Sequence, residues 1–469
     1  MIRITQTLAV SSLALALAAC NSSSTRVEPT PTPDPDPAGN AQLRIHHVSA
    51  DAPAVNILAN GDILGGLEGV DYQQSSPTLE VPEASYNVTV DGILPSGEFS
   101  TVIDETLALE TDVRYEVFAI GQLGADDAFA FEPFILNRPV SSVTDGDARL
   151  WVLHGAPVDV SVDVYLTEPG ADIVDGNAAY TLSYKEDSEP FEVPAGDYEV
   201  TLTASGDASS VLFSSPLTLN DGDDLMVTAT LNTAANADDA PLALLVADGE
   251  SSSVVYSTTT GADLRVVHAA ADVPAVDVYA NQVTGTPAVA ALAFPEFTDY
   301  LNVAAGDYDF LVTLADDADV QLELAASLVD GWQGTVVAAG ELGDGSANLQ
   351  ALTFDNRRVA TEARVRIVHA SPFAGDVDIY VTPSNDFTDS APAFESVPFN
   401  AAELATTGNV PLAAGTYFVT VTLAGQTDAA LGPLEVDLEA GGIYTAVAVG
   451  NDADSLGLVL MDDLAPSGN

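Results

Sequence analysis

The chain of 469 residues has one cysteine, Cys20. A single cysteine forms neither an internal disulfide nor a thiolate metal cluster, which excludes a disulfide-stapled scaffold and a cysteine zinc site. Positive charge is almost as scarce. Lys and Arg number 12 against 70 Asp and Glu, the formal net charge is −58, and the only lysine is Lys185. Such a surface repels a phosphate backbone, so nucleic acid is excluded as a partner, and so is direct adsorption on anionic lipid. Trp151 and Trp332 are the only tryptophans and share no register, so no repeated sugar-stacking platform is expected.

Apolar residues, by contrast, are plentiful. They make up 47% of the chain, with a mean hydropathy of +0.20, enough for several cores. Disordered chains combine high charge with low hydrophobicity, and only the charge is present here. The length predicts several domains. An acidic, lysine-poor surface stays hydrated where salt screens its self-repulsion, which predicts a salt-exposed extracytoplasmic protein or simply an acidic secreted one.

Residues 1–20, MIRITQTLAVSSLALALAAC, carry Arg3 and then a Leu/Ala run. The run is too short for a convincing membrane span and ends in small residues. Its end, Leu17-Ala18-Ala19-Cys20, resembles the lipobox of bacterial lipoproteins. That resemblance implies cleavage before Cys20, lipidation of Cys20 and attachment by acyl chains. Asn21 after the cysteine implies delivery to the outer membrane of a Gram-negative cell. Residues 21–40, rich in Ser, Thr, Pro and Asp, read as a tether. In polyproline II form they would reach roughly 60 Å at about 3.1 Å per residue.

The rest is written four times. One motif reads HVSADAPAVNIL from His47, LHGAPVDVSVDVY from Leu153, VHAAADVPAVDVY from Val267 and VHASPFAGDVDIY from Val368. Four of the five histidines hold one place in it, and an amide or acid follows each by nine positions. The pairs are His47 and Asn56, His154 and Asp163, His268 and Asp277, and His369 and Asp378; the fifth histidine, His46, adjoins the first. The histidines are spaced by 107, 114 and 101 residues, too long for a solenoid turn and right for a small domain. A second motif places Tyr86, Tyr198, Tyr308 and Tyr417 just after a tight turn, with Gly there in three copies. A third, near each repeat's end, is apolar and β-branched.

Within the third repeat about seven short alternating strands begin near Leu264, Val276, Thr298, Tyr308, Val320, Gly334 and Leu349, with turn residues between them. This predicts an all-β fold of tandem antiparallel Greek-key or immunoglobulin-like β-sandwiches. The repeats are expected at 41–140, 147–250, 261–358 and 362–464, with separate cores and joints near 141–147, 250–261 and 359–362. In LRVVHAA, alternation puts Leu264, Val266 and His268 on one face and Arg265, Val267 and Ala269 on the other.

Arg-x-x-His followed by Pro-Ala-Val-Asp-Val-Tyr, then Val-Pro-Ala-Gly-x-Tyr, is similar to the bacterial domain of unknown function DUF4397, over nearly all of 41–464 in four copies. The second copy departs with Trp151 where the others have Arg44, Arg265 and Arg366, and the first departs with Asn56. The resemblance implies a secreted or surface β-rich domain and brings no catalytic residue with it.

The recurring residues carry a structural and a chemical reading. A buried imidazole needs partners, which the Asp or a backbone carbonyl can supply, making the His a structural rivet. A catalytic triad needs a nucleophile, and the position two after the His is Ser49, Ala156, Ala270 and Ser371, so no hydroxyl recurs. One His and one Asp per repeat, with no third recurring ligand, make a poor metal site. The acidic groups Asp126-Asp127, Asp221 with Asp223 and Asp224, Asp316 with Asp317 and Asp319, and Asp452 with Asp454 read as solvated turns, with structural calcium as the alternative. The recurring Tyr reads as tyrosine-corner packing rather than a binding aromatic. No catalytic residue and no cofactor is expected. The chain reads as a lipid-anchored envelope protein binding an unknown protein or glycan through tandem modules, or as a structural spacer, with an enzyme or a calcium-dependent carbohydrate-binding protein as the less favoured alternatives.

Overall fold

The computed structural model describes residues 39–125, 127–234, 240–452 and 456–463. Cys20, the tether up to residue 38, Asp126 and Asp454 lie outside the described residues, as does the side chain of Asp127. Among the described residues the ordered structure is strands together with one three-residue 3-10 turn, Asp127–Phe129. The fold is all-β, in tandem sandwiches.

The third repeat shows the plan. Its first sheet runs in the order Leu301–Val303, Ala262–His268, Gln333–Ala339, Asn348–Thr353. Its second sheet runs Val289–Leu292, Val276–Ala280, Gly306–Leu314, Val320–Leu328. Between them lie Leu264, Val266, Val276, Val278, Phe310, Val312 and Val336. Along Val320–Leu328 the core takes Leu322, Leu324, Ala326 and Leu328, while Glu323, Ala325 and Ser327 face solvent. That period of two is the amphipathic strand pattern.

Three expectations need correction. The sandwiches are not wholly antiparallel: in every repeat the first strand runs parallel to a late strand of the same sheet, as in Leu264↔Gly334 through His268↔Ala338. Residue alternation reports which face a side chain takes, whereas strand direction follows from the long connection through the other sheet. The stretch 250–261 is more than a joint, since Ser252–Tyr256 pairs with Leu242–Ala247 as a fifth strand of the second repeat's first sheet.

The cores are also not separate. The repeats from Gly39 onward form one compact unit. Ala262–His268, Gln333–Ala339, Ala363–His369 and Ile443–Val449 are buried along their whole length. One face of each points into its own sandwich and the other against a neighbouring repeat. The expected alternation in LRVVHAA is present, with Leu264 and Val266 in the repeat's own core and Val267 and Ala269 in a second cluster shared with Val368, Val447 and Met461 of the fourth repeat. Repeats 1 and 2 share an equivalent cluster of Val48, Phe118, Ile120, Trp151, Leu153, Met226, Leu245 and Ala247. A strand buried on both faces reads as a continuous apolar run, as these do.

Candidate functional site

The histidines end their first strands fully buried, and in each the ring closes a loop onto its own strand. Nε2 donates to the carbonyl six residues ahead: His47 to Pro53 (3.0 Å), His154 to Val160 (3.0 Å), His268 to Pro274 (3.1 Å) and His369 to Gly375 (2.6 Å). An aromatic edge meets each ring, from Tyr72, Tyr184, Phe294 and Phe399. Burial lowers the pKa of all four, to about 4 for His47, so the rings are neutral donors.

The amide or acid nine positions later does not meet its histidine. It clasps backbone elsewhere: Asn56 Oδ1 accepts from Gly69 N (2.9 Å) and Asp163 Oδ2 from Gly206 N (2.8 Å). Asp277 Oδ1 accepts from Ala291 N (2.7 Å), and Asp378 takes Ser396 N (2.7 Å) and Gly425 N (2.8 Å) on its two oxygens. Asp163 also accepts from the Thr181 hydroxyl (2.6 Å). Burial opposes its charge, yet the Gly206 N–H and these hydroxyl donors hold its pKa below the usual range. An Asp with two acceptor oxygens ties two loops where Asn ties one, which is the physical content of the Asn56 departure. The tyrosines bond the carbonyl four residues back, Tyr86 to Pro82 (3.0 Å), Tyr198 to Pro194 (2.8 Å) and Tyr308 to Ala304 (2.8 Å). Tyr417 occupies the same place in its strand, packed against the fourth core. Ser49 and Ser371 donate to the carbonyls of Gly121 and Gly450, away from the histidines.

The acidic turns are likewise engaged with their own backbone. Asp221 accepts from Gly146 N (2.7 Å), Asp223 from Asn220 N (2.7 Å), and Asp317 from Ala318 N and Asp319 N (2.7 and 3.1 Å). Among the described residues no group of three or more His, Cys, Asp or Glu is arranged to hold a metal ion.

The sequence reading missed the charge layout. Ten of the basic residues lie beyond residue 39, and at least nine of them form ion pairs at seams or joints between repeats. Arg44 is buried against Glu116 (Nε to Oε2, 2.8 Å) and reaches Ala247 O of the second repeat (3.2 Å). His46 adds a bond to Glu116 (2.9 Å) and stacks on Phe118. Arg114 and Arg138 of the first repeat and Arg149 of the second converge on Asp224. Arg265 and Arg366 meet Asp463 from the third and fourth repeats. Arg357, in the joint before the fourth repeat, pairs with Asp71 and donates to Ala50 O and Ala52 O of the first. The available signal was the eleven arginines against one lysine, because the guanidinium fork suits buried pairing.

The outward face of the second sheet carries a smaller recurrence. An exposed hydroxyl meets a carboxylate across the strands at Thr218–Asp197 (2.7 Å), Ser327–Asp307 (2.6 Å) and Thr416–Asp437 (2.6 Å). The first repeat has Ser85 opposite Ala108 there and lacks the pair.

A model of the domain of unknown function DUF4397 matches residues 41–165 and 262–380. Each match begins at the first strand of an odd-numbered repeat and ends in the second strand of its even-numbered partner, Val162–Thr167 or Val377–Thr382. No curated protein matches the sequence. Two solved structures resemble the chain weakly. One concerns alpha-glucan recognition by family 41 carbohydrate-binding modules from streptococcal virulence factors, at 13% identity over 40% of this chain and 92% of that one, with a TM-score of 0.16. The other is a product complex of a multi-modular glycogen-degrading pneumococcal virulence factor, at 10% identity over 83% of this chain and 37% of that one, with a TM-score of 0.17.

Proposed function

This chain belongs to the DUF4397 family, a domain of unknown function, and we propose that it is a multivalent binding protein of the cell envelope, tethered through lipidated Cys20. The observation that carries this reading is the division of labour between the two sheets of each repeat. The first sheet is consumed in repeat pairing, and the second displays the same hydroxyl–carboxylate pair at the exposed end of its outward face in three of four repeats. Weak sites held in fixed register on one body gain effective concentration, whereas the recurring His, Asp and Tyr residues are spent on loop closure.

The test is binding of residues 21–469 to an array of glycans, matrix proteins and envelope polymers, at low and high salt, with and without calcium. Asp197→Asn, Asp307→Asn and Asp437→Asn, introduced one after another, should lower avidity stepwise. Retention of full binding by the triple variant would remove the outer sheets from the function. Absence of any ligand would favour the spacer reading, which the burial of Arg357 and Val359 supports. Anchoring is tested separately: Cys20→Ser should abolish incorporation of a fatty-acid label and release the chain from the membrane fraction.

A further inference from the structure

We infer that the open cleft at the seam between repeats 1 and 2 takes up an extended peptide strand of a partner, one that carries a basic side chain. The cleft has a volume of about 640 Å³ and runs beside the last strand of repeat 1, Glu132–Pro139. Leu136, Asn137 and Arg138 line it from repeat 1, and Trp151, Asp187 and Glu189 from repeat 2.

The chain itself shows what fits such a place. The two repeats meet through equivalent strands, so their seam has two equivalent rims. At one rim the last strand of the repeat pairing, Leu242–Ala247, has Ser252–Tyr256 running antiparallel along it. This added strand also reaches repeat 1. Ser75 N donates to Ser252 Oγ (3.1 Å), and Thr78 N donates to Gly249 O (2.7 Å) in the turn before it. With that strand in place every residue of Leu242–Ala247 is buried. At the other rim, among the described residues, the sheet of repeat 1 ends at Glu132–Pro139. Phe134, Ile135 and Leu136 are left half-buried there, Ile135 against its own core and the other two against the seam cluster.

The exposed edge has the groups that pairing needs. Val140 N donates inward to Asp112 O (2.8 Å), so even-numbered positions turn their main-chain groups inward and odd-numbered ones turn theirs outward. Pro133 and Pro139 both fall on outward positions, where a missing N–H breaks no ladder bond. Between them Ile135 and Asn137 each offer an outward N–H and C=O.

The same equivalence fixes the charge of the occupant. Ser75 lies opposite His46, and Asp187 lies opposite Leu153, which is the same place in the next repeat. A residue standing where Ser252 stands therefore meets Asp187 in place of Ser75. Glu189 adds a second, exposed carboxylate. Arg138 and Arg149 are already committed to Asp224 and Glu192. A lysine or arginine at that place gains a charge-assisted bond, and an acidic residue is repelled. Strand addition works in this way, with main-chain bonds supplying affinity and alternate side chains supplying selection. The cleft belongs to the first sheets, so this inference does not rest on the outer-sheet reading.

The experiment uses the full chain and dye-labelled peptides copying residues 251–257, SSSVVYS, followed by fluorescence anisotropy. SKSVVYS, with lysine in the place of Ser252, should saturate at one site per chain. At saturation the Ile135 and Asn137 amides should become protected from hydrogen exchange. SESVVYS, with glutamate in that place, should bind about tenfold more weakly or worse. Asn137→Pro removes one outward donor and should weaken SKSVVYS about fivefold or more, with the melting temperature unchanged because no ladder bond is lost. Asp187→Asn keeps an acceptor for the Trp151 indole and should reduce the preference for lysine over glutamate. The inference is overturned if SKSVVYS does not saturate, if SESVVYS binds as tightly, if the two amides stay unprotected at saturation, or if Asn137→Pro binds as well as the parent. The Asp197, Asp307 and Asp437 variants should leave this titration unchanged, so failure of the outer-sheet reading and failure of the cleft give different results.

Discussion

The seam between repeats 1 and 2 and the seam between repeats 3 and 4 use the same strands in the same register, yet they place charge differently. In the first, Arg44 is neutralised inside its own sheet by Glu116, directly opposite it on the parallel strand. The partner offers Trp151 opposite Met226, an apolar pair, at the equivalent place. In the second, both partners present arginine opposite threonine, Arg265 with Thr335 and Arg366 with Thr445. The two guanidiniums share Asp463 of the fourth repeat, and Arg366 also stacks on Phe354 of the third at 4.3 Å. At this position one seam therefore brings together faces that are each neutral alone, and the other is neutralised only when the repeats meet, although elsewhere Arg114 and Arg138 bridge the first seam through Asp224. The Trp151 departure is thus part of a pairing code: an arginine there would face Arg44 across the seam.

The comparison is tested most severely at Asp463. Asp463→Ala should leave two buried arginines uncompensated and cost about 3–5 kcal/mol, seen as a large shift in urea unfolding. The repeat 3–4 seam should open first, detected as rising hydrogen exchange in Val267–Ala269 and Val447–Val449. A small shift, or opening elsewhere, would show that this aspartate does not hold the seam. Glu116→Ala should cost nearly as much, about 3 kcal/mol, but the damage should stay within repeat 1, because Arg44 loses its own-sheet partner and keeps Ala247 O. Equal exchange changes on both sides of the 1–2 seam would erase the proposed difference.

His268→Ala should cost about 1–3 kcal/mol through the unpaired Pro274 carbonyl and the lost Phe294 contact. Since the apolar cluster is shared, the shift should appear in the unfolding of repeats 3 and 4 together; a melt confined to repeat 3 would restore independent cores.

Acid should act on both seams alike. Each histidine has a folded pKa below its unfolded value, so its contribution is intact above about pH 6.5 and is lost as the unfolded state takes up a proton that the native ring refuses. For His47 that loss runs from about 6.5 to about 4 and amounts to about 3 kcal/mol. A stability profile flat across that window would mean the rings accept protons in place. The smallest effect is expected from salt. Raising ionic strength from about 0.1 M to about 1 M should stabilise the parent by screening its acidic surface, while leaving the Asp463→Ala deficit unchanged because that pair is buried.

Much of the fold was readable from residue order. The four His positions marked the repeat, and alternation in LRVVHAA placed Leu264 and Val266 inward. For the histidine the sequence left two partners open, the Asp nine positions on or a backbone carbonyl, and the ring takes a carbonyl six positions on. A carbonyl is present at every residue and so carries no sequence signal. The apolar outer faces, Val267 and Ala269 or Val337 and Ala339, did signal a second covering layer. They were read as part of a single sandwich because a doubly buried strand and an ordinary core strand share the same composition.

By itself the sequence determined the repeat length and the strand periodicity, because each of these is written in local order and composition. Only the tertiary structure decided which repeats pair, where the few arginines find carboxylates, and that Leu136, Asn137, Trp151 and Asp187 meet in one cleft. Those facts join residues as far as 286 positions apart, and contacts at such separations are selected by the fit of whole faces, which no local pattern records.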